Sequence, residues 1–120
     1  MAIKYHEHAT QPVFEIEVAG KITQADMDSV LPRLEAFLQR HGKVRMVEVI
    51  PTFEGFELST IWEGIKFDVA HIRDIDRVAV VTDVGWIGGL TRALCRVSPL
   101  EIRVFDMADL EAARAWVEAP

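Results

Sequence analysis

The chain has 120 residues, 50% apolar and 27% charged, with a net charge of −6. That balance is ordinary for a soluble globular protein, and it disfavours nucleic acid or an anionic membrane as partner, since both are met by basic surfaces. Cys95 is the single cysteine, which excludes an internal disulfide framework and fits a reducing compartment, so a cytoplasmic location is expected.

The length predicts one domain over residues 1–120, enough to bury a core without metals or crosslinks. The segment Met1 to His8 lacks the apolar stretch of a signal peptide. No apolar run approaches the ~20 residues of a membrane-spanning helix, so no stable membrane insertion is expected.

Ile3 to His8 reads as a short edge strand, turning through Thr10-Gln11-Pro12 into Val13 to Val18. The second segment alternates as a half-buried strand does, and the two are expected to pair as a hairpin. Gly20 ends it, and Thr23 with Asp26 three residues on forms a helix-start signal. Met27, Val30, Leu31, Leu34 and Leu38 share one helical face. Pro32 interrupts that pattern because it has no N–H for the carbonyl of Asp28. A kinked helix through Pro32, ending at His41-Gly42, is preferred over a shorter one capped by Ser29.

Val44 to Ile50 is nearly unbroken in its apolar character, the mark of a strand buried on both faces. Pro51 stops it, and Phe53-Glu54-Gly55-Phe56 is expected as a turn bearing two aromatics. A helix is predicted from about Leu58 to Arg73, then a strand over Arg77 to Thr82. A further helix is predicted from about Gly85 to Val97, with Trp86, Ile87, Leu90, Ala93, Leu94 and Val97 on a broad apolar arc and Arg92 and Arg96 opposite. Ser98-Pro99 breaks it before a last strand, Leu100 to Phe105. Asp106, with Asp109 behind it, is the expected cap of a final helix carrying Leu110, Ala113, Trp116 and Val117. The order ββαβαβαβα predicts an α/β fold whose later strands run mostly parallel.

The middle helix carries more apolar surface than one face needs. At about 100° per residue, Leu58, Ile61, Trp62, Ile65, Val69 and Ile72 gather on the side facing the sheet. Phe67 falls roughly opposite, beside Thr60, Glu63 and His71. Covering it would contribute about 1.5–3 kcal/mol, so a partner or ligand is expected there, with Phe53, Phe56 and Trp62 nearby in sequence.

Phe53-Glu54-Gly55-Phe56, then Ile61-Trp62-Glu63-Gly64-Ile65-Lys66-Phe67, then His71-Ile72-Arg73-Asp74 leading into Arg77 to Val81, resembles the bacterial SpoIIAA-like proteins. That family is a branch of the STAS and CRAL-TRIO-like folds, and the similarity extends from Phe14 to Val117. The resemblance implies a mixed sheet of four or five strands with helices mainly on one face. It also implies a non-catalytic protein that forms homodimers through apolar helix surfaces. Carriage of a lipophilic small molecule follows only by analogy of fold. On this reading Phe53, Phe56, Trp62, Phe67, Trp86 and Leu90 line the interface or pocket.

STAS-type antagonists of anti-sigma factors carry a phosphorylatable serine at the start of the helix after the third strand, where Ser59 and Thr60 stand here. The resemblance therefore implies an alternative, a regulatory module that meets a protein partner and is switched by phosphate. The helix amino end would accept a phosphate, but the Asp-Ser-Ser/Thr-Gly type of motif is absent and Glu54 and Glu57 would repel it. Ser59 is more simply a cap.

Other chemistry is weakly supported. His6 and His8 point the same way on a strand without a recognisable third ligand, and an exposed polar edge explains them. His41 and His71 sit at predicted helix ends with no nucleophile to serve. Gly85-Trp86-Ile87-Gly88-Gly89 matches neither phosphate-loop spacing. Asp83, at the carboxyl end of a parallel strand, could face a ligand or cap the next helix, and the cap is preferred. Nothing marks Cys95 as an activated thiol, and it reads as a small packing residue. No catalytic residue, metal or cofactor is expected.

Overall fold

A computed structural model describes residues 3–56, 73–96 and 101–120, with the side chains of Phe56, Leu94 and Cys95 outside that description. The elements are β1 (Ile3–Glu7), β2 (Val13–Val18), β3 (Lys21–Ile22), α1 (Gln24–His41), β4 (Val44–Ile50) and β5 (Gly55–Phe56). They continue as β6 (Ile75–Thr82), α2 (Gly85–Cys95), β7 (Glu101–Phe105), a 3₁₀ turn (Met107–Asp109) and α3 (Leu110–Glu118). The helix expected from about Leu58 to Arg73 lies almost wholly outside the described residues, as does Val97, the expected end of α2.

The main sheet has five strands in the order β1-β2-β4-β6-β7. β1 and β2 form the expected antiparallel hairpin, with His6 opposite Glu15. Every other neighbour in this sheet is parallel, an arrangement that requires the long crossovers between these strands. The fold is thus the mixed α/β sheet that the alternation of elements predicts.

β4 and β6 are apolar on both sides because both sides are covered. One face carries Val44, Met46 and Ile50 of β4 with Val78 and Val80 of β6, packed under Val30, Leu34, Phe37 and Leu38 of α1 and Ile87 of α2. The other carries Val47, Val49, Ala79 and Val81 beneath Ala113 and Val117 of α3. Two of the three described helices therefore share a face. Phe14 and Phe37 are fully buried and meet edge to face, with ring centroids 5.7 Å apart. Each such side chain contributes about 1.5–3 kcal/mol through burial.

Local signals set the boundaries. The Thr23 hydroxyl oxygen accepts the Asp26 N–H at 3.3 Å, and the Asp26 carboxylate accepts the Thr23 N–H at 2.9 Å, completing a capping box. α1 runs through Pro32 as one helix and stops at Gly42, whose N–H donates to the Leu38 carbonyl at 2.8 Å and whose φ of 74° turns the chain out of the helix.

Three expectations are corrected. Phe53 to Phe56 is not simply a turn: Gly55–Phe56 forms β5, which pairs in parallel with β3 through Lys21 opposite Gly55 and Ile22 opposite Phe56. Asp83 does not cap α2. Its carboxylate accepts the Met107 N–H at 3.1 Å and so fastens the start of the 3₁₀ turn. Nor do Asp106 and Asp109 cap the last helix with their side chains, because the intervening 3₁₀ turn takes up the Asp109 N–H on the Asp106 carbonyl at 2.9 Å.

The carboxyl end of α3 is held by two arginines from the sheet. Arg45 Nη1 donates to the carbonyls of Val117 (2.8 Å) and Ala119 (2.6 Å). Arg77 Nη1 donates to those of Trp116 (3.1 Å) and Ala119 (2.8 Å). A helix exposes unpaired carbonyls and partial negative charge at this end, so two guanidinium groups suit it. Further along, Arg114 grips Glu15 of β2 with two hydrogen bonds, at 2.8 and 2.9 Å, and also bonds Glu111. The bonds to Glu15 lead in raising the Arg114 guanidinium above its ordinary pKa, outweighing burial.

Candidate functional site

β4 and β6 are neighbouring parallel strands, and their carboxyl ends deliver two aromatic side chains to one place. Thr82 closes β6 and ties the ends together: its buried hydroxyl donates to the Ile50 carbonyl at 2.8 Å and accepts the Val84 N–H at 3.0 Å. Past Ile50 the chain turns at Pro51 and reaches Phe53; past Thr82 it enters α2 and presents Trp86. The two rings meet edge to face, centroids 5.5 Å apart at 66°, an arrangement aromatic quadrupoles favour.

The loop that carries Phe53 is braced on both sides. The Gly20 N–H donates to Thr52 Oγ1 at 3.2 Å, the Glu54 N–H donates to the Gly20 carbonyl at 2.9 Å, and the β3–β5 ladder follows. Gly20 has φ of 80°, a region glycine enters without steric cost. Phe53 is half-buried. Trp86 nevertheless keeps 59% of its surface exposed, and Leu90, one turn further along α2, keeps 54%.

These two are the exposed large hydrophobic residues among those described. Periodicity places them on one broad arc with Ile87, but only Ile87 of the three is buried. Gly88 is buried where α2 passes β7, and a Cβ there would make ordinary contact, 3.6 Å from Val104 and 3.4 Å from Arg92. The helix rests on its Ile87–Gly88 side, and Trp86 and Leu90 face outward.

Of the predicted site residues, the structure brings Phe53 and Trp86 into contact and exposes Leu90 on the same helix as Trp86. Phe56 is placed by its backbone in β5, opposite Ile22. Trp62 and Phe67, and the phosphorylation candidates Ser59 and Thr60, lie outside the described residues, as does His71. Thr82 was not singled out from sequence; a lone hydroxyl ending an apolar strand was its signal.

The remaining polar candidates resolve into structural roles. His8 Nδ1 accepts the backbone N–H groups of Thr10 and Gln11, each at 3.1 Å, which leaves the ring proton on Nε2 for Glu118 at 3.0 Å. His8 thus fastens the hairpin turn to α3 and is half-buried, while His6 is exposed as expected. His41 packs on Phe37, ring centroids 4.4 Å apart. Beside it, Tyr5 donates to Glu7 at 2.9 Å and Arg40 donates to Glu7 at 2.8 Å. Burial, aided by the bond to Glu7, pushes the Tyr5 phenol up. Burial also works to raise the Glu7 carboxyl, but the bonds from Arg40 and Tyr5 outweigh it and hold it below the usual carboxylate range. Cys95 ends α2, its side chain outside the description. Among the described residues no group of three His, Cys, Asp or Glu side chains is placed to hold a metal ion, and no helix is long and apolar enough to cross a membrane.

Fold and surface together define a small mixed-sheet α/β domain that presents an apolar patch where open α/β sheets gather ligands, at the carboxyl ends of parallel strands. The chain belongs to the SpoIIAA-like family, whose model matches residues 13–118. It is similar in structure to an uncharacterized protein of the DUF3478 family from Shewanella loihica PV-4, described as having a SpoIIAA-like fold. The two share 24% identity with a TM-score of 0.79, over 97% of this chain and 92% of the other, a likeness that shows the fold. No curated protein matches the chain.

Proposed function

We propose that residues 1–120 form a single cytoplasmic domain that binds rather than catalyses. It self-associates as a homodimer through the apolar surface made by Phe53, Trp86 and Leu90, and the same surface can take up a lipophilic small molecule. One observation carries the reading: Trp86 and Leu90 stay more than half exposed beside a braced aromatic, Phe53. Isolated exposed apolar residues are common, but a Trp and a Leu one helical turn apart form a contiguous patch, and such patches mark interaction sites. Phe56, Trp62 and Phe67 join this proposal by their sequence positions.

Native mass spectrometry of the purified protein, paired with the Leu90→Asp variant, tests it. The expected wild-type spectrum shows a dimer or a retained apolar molecule. Leu90→Asp removes either one while its circular dichroism stays native. A wild type that flies as a bare monomer at every concentration would overturn the proposal.

A further inference from the structure

The exposed side of α2 alternates large and small residues, so that reversing its order sets large against small. Trp86, Gly89, Leu90 and Ala93 stand at helical positions i, i+3, i+4 and i+7, and all four are exposed. Exposed charges flank them: Asp83 just before the helix, which also holds the Met107 N–H, and Arg96 just after it, which the helical wheel sets beside Gly89 at the edge of the stripe, away from the centre of the broader apolar arc. Inside the helix there is no carboxylate, although the chain as a whole carries a net charge of −6. No carboxylate of α2 itself therefore adds to repulsion between two copies on this face.

We propose that a second copy of this chain docks here with its α2 antiparallel to the first, the two-fold axis passing between Gly89 and Leu90. This rests on the self-association reading above and adds the register. A two-fold contact sets each residue against a counterpart in reversed order. In this register Trp86 meets Ala93 of the partner copy, Leu90 meets its Gly89, and Asp83 meets its Arg96. Each large side chain faces a small one, and each end charge faces its opposite. Among the described residues nothing lies within 4 Å of where a Gly89 Cβ would be, so the notch is open to an incoming Leu90, and close-packed helices cross at about 8–10 Å. A parallel pairing would instead stack Trp86 on Trp86 and Arg96 on Arg96.

The test uses the full chain. Gly89→Cys, in a Cys95→Ser background, places a thiol beside the axis, and Arg92→Cys in the same background places one to the side. Mild oxidation is expected to convert the first to a disulfide-linked dimer on a non-reducing gel and to leave the second monomeric. Independently, Arg96→Asp sets two carboxylates together at each end and is expected to weaken self-association by about tenfold or more, with less effect at high salt. Failure of Gly89→Cys to crosslink, or an unchanged dissociation constant for Arg96→Asp, overturns the register; if Leu90→Asp still abolishes the dimer, the broader reading survives. A monomeric wild type overturns the register, and one that also retains no apolar molecule overturns both.

Discussion

Replacing Arg45 and Arg77, singly and together, probes how α3 is kept on its face of the sheet. Each guanidinium serves two carbonyls of the last turn and the residue after it, and both reach Ala119. Hydrogen bonds to a charged group contribute about 1.5–3 kcal/mol, and the helix-end charge adds about 0.3–1 kcal/mol. Methionine retains most of the apolar stem, so Arg→Met isolates the head group. Because the two cations also repel and share one acceptor, each single change is expected to cost only about 1.5–2.5 kcal/mol, a melting shift of roughly 6–10 °C at this length. With both gone, Ala119 loses both of these charged donors, and the pair should cost more than the sum of the singles by about 0.5–1 kcal/mol. Urea unfolding followed by circular dichroism measures all four corners of the cycle. Single variants within 0.5 kcal/mol of wild type would refute the reasoning and show that water serves these carbonyls equally well.

Further outcomes follow from the same contacts. Glu7 is held below the ordinary glutamate pKa of about 4.3, so its carboxylate stabilises the fold above that pH. Glu7→Gln should therefore be less stable than wild type at neutral pH, with the gap closing as pH falls through the depressed value; urea titrations at several pH values read it. Thr82→Val removes the link between the ends of β4 and β6 and strands the Ile50 carbonyl, at an expected cost of about 1–3 kcal/mol in chemical denaturation. Gly42→Ala forces a side chain onto a φ of 74° and should cost about 1–2 kcal/mol. Gly89→Ala, inside a helix with open space around it, should raise monomer stability by about 0.5–1 kcal/mol, measured at dilutions below self-association.

What could be read from sequence was whatever is decided within a few residues. The Thr23–Asp26 capping box, the stop at Gly42 and the apolar runs of β4 and β6 are local, and all appear in the structure. What stayed hidden depends on distant partners. Asp83 has the composition of a helix cap, yet the Met107 N–H, 24 residues away, claims it. The β3–β5 ladder is two residues long and made of backbone bonds, so no side-chain pattern announces it. For the site, the aromatic content of Phe53 and Trp86 was legible but their contact was not. The exposure of Trp86 and Leu90 depends on α2 settling on its Ile87–Gly88 side, a matter of packing rather than periodicity.

The double bracing of the Phe53 loop bears on how this chain tolerates changes in length. Surface loops commonly accept inserted residues with little penalty. Here Thr52 and Glu54 both bond Gly20, and Gly55 and Phe56 follow at once in register with Lys21 and Ile22. One added residue between Thr52 and Phe53 would put the Thr52 and Glu54 bonds to Gly20 out of step with each other, and it would carry the ring away from Trp86. The loop behaves as a fixed-length spacer, and a graft or tag placed there would be felt at the first turn of α1.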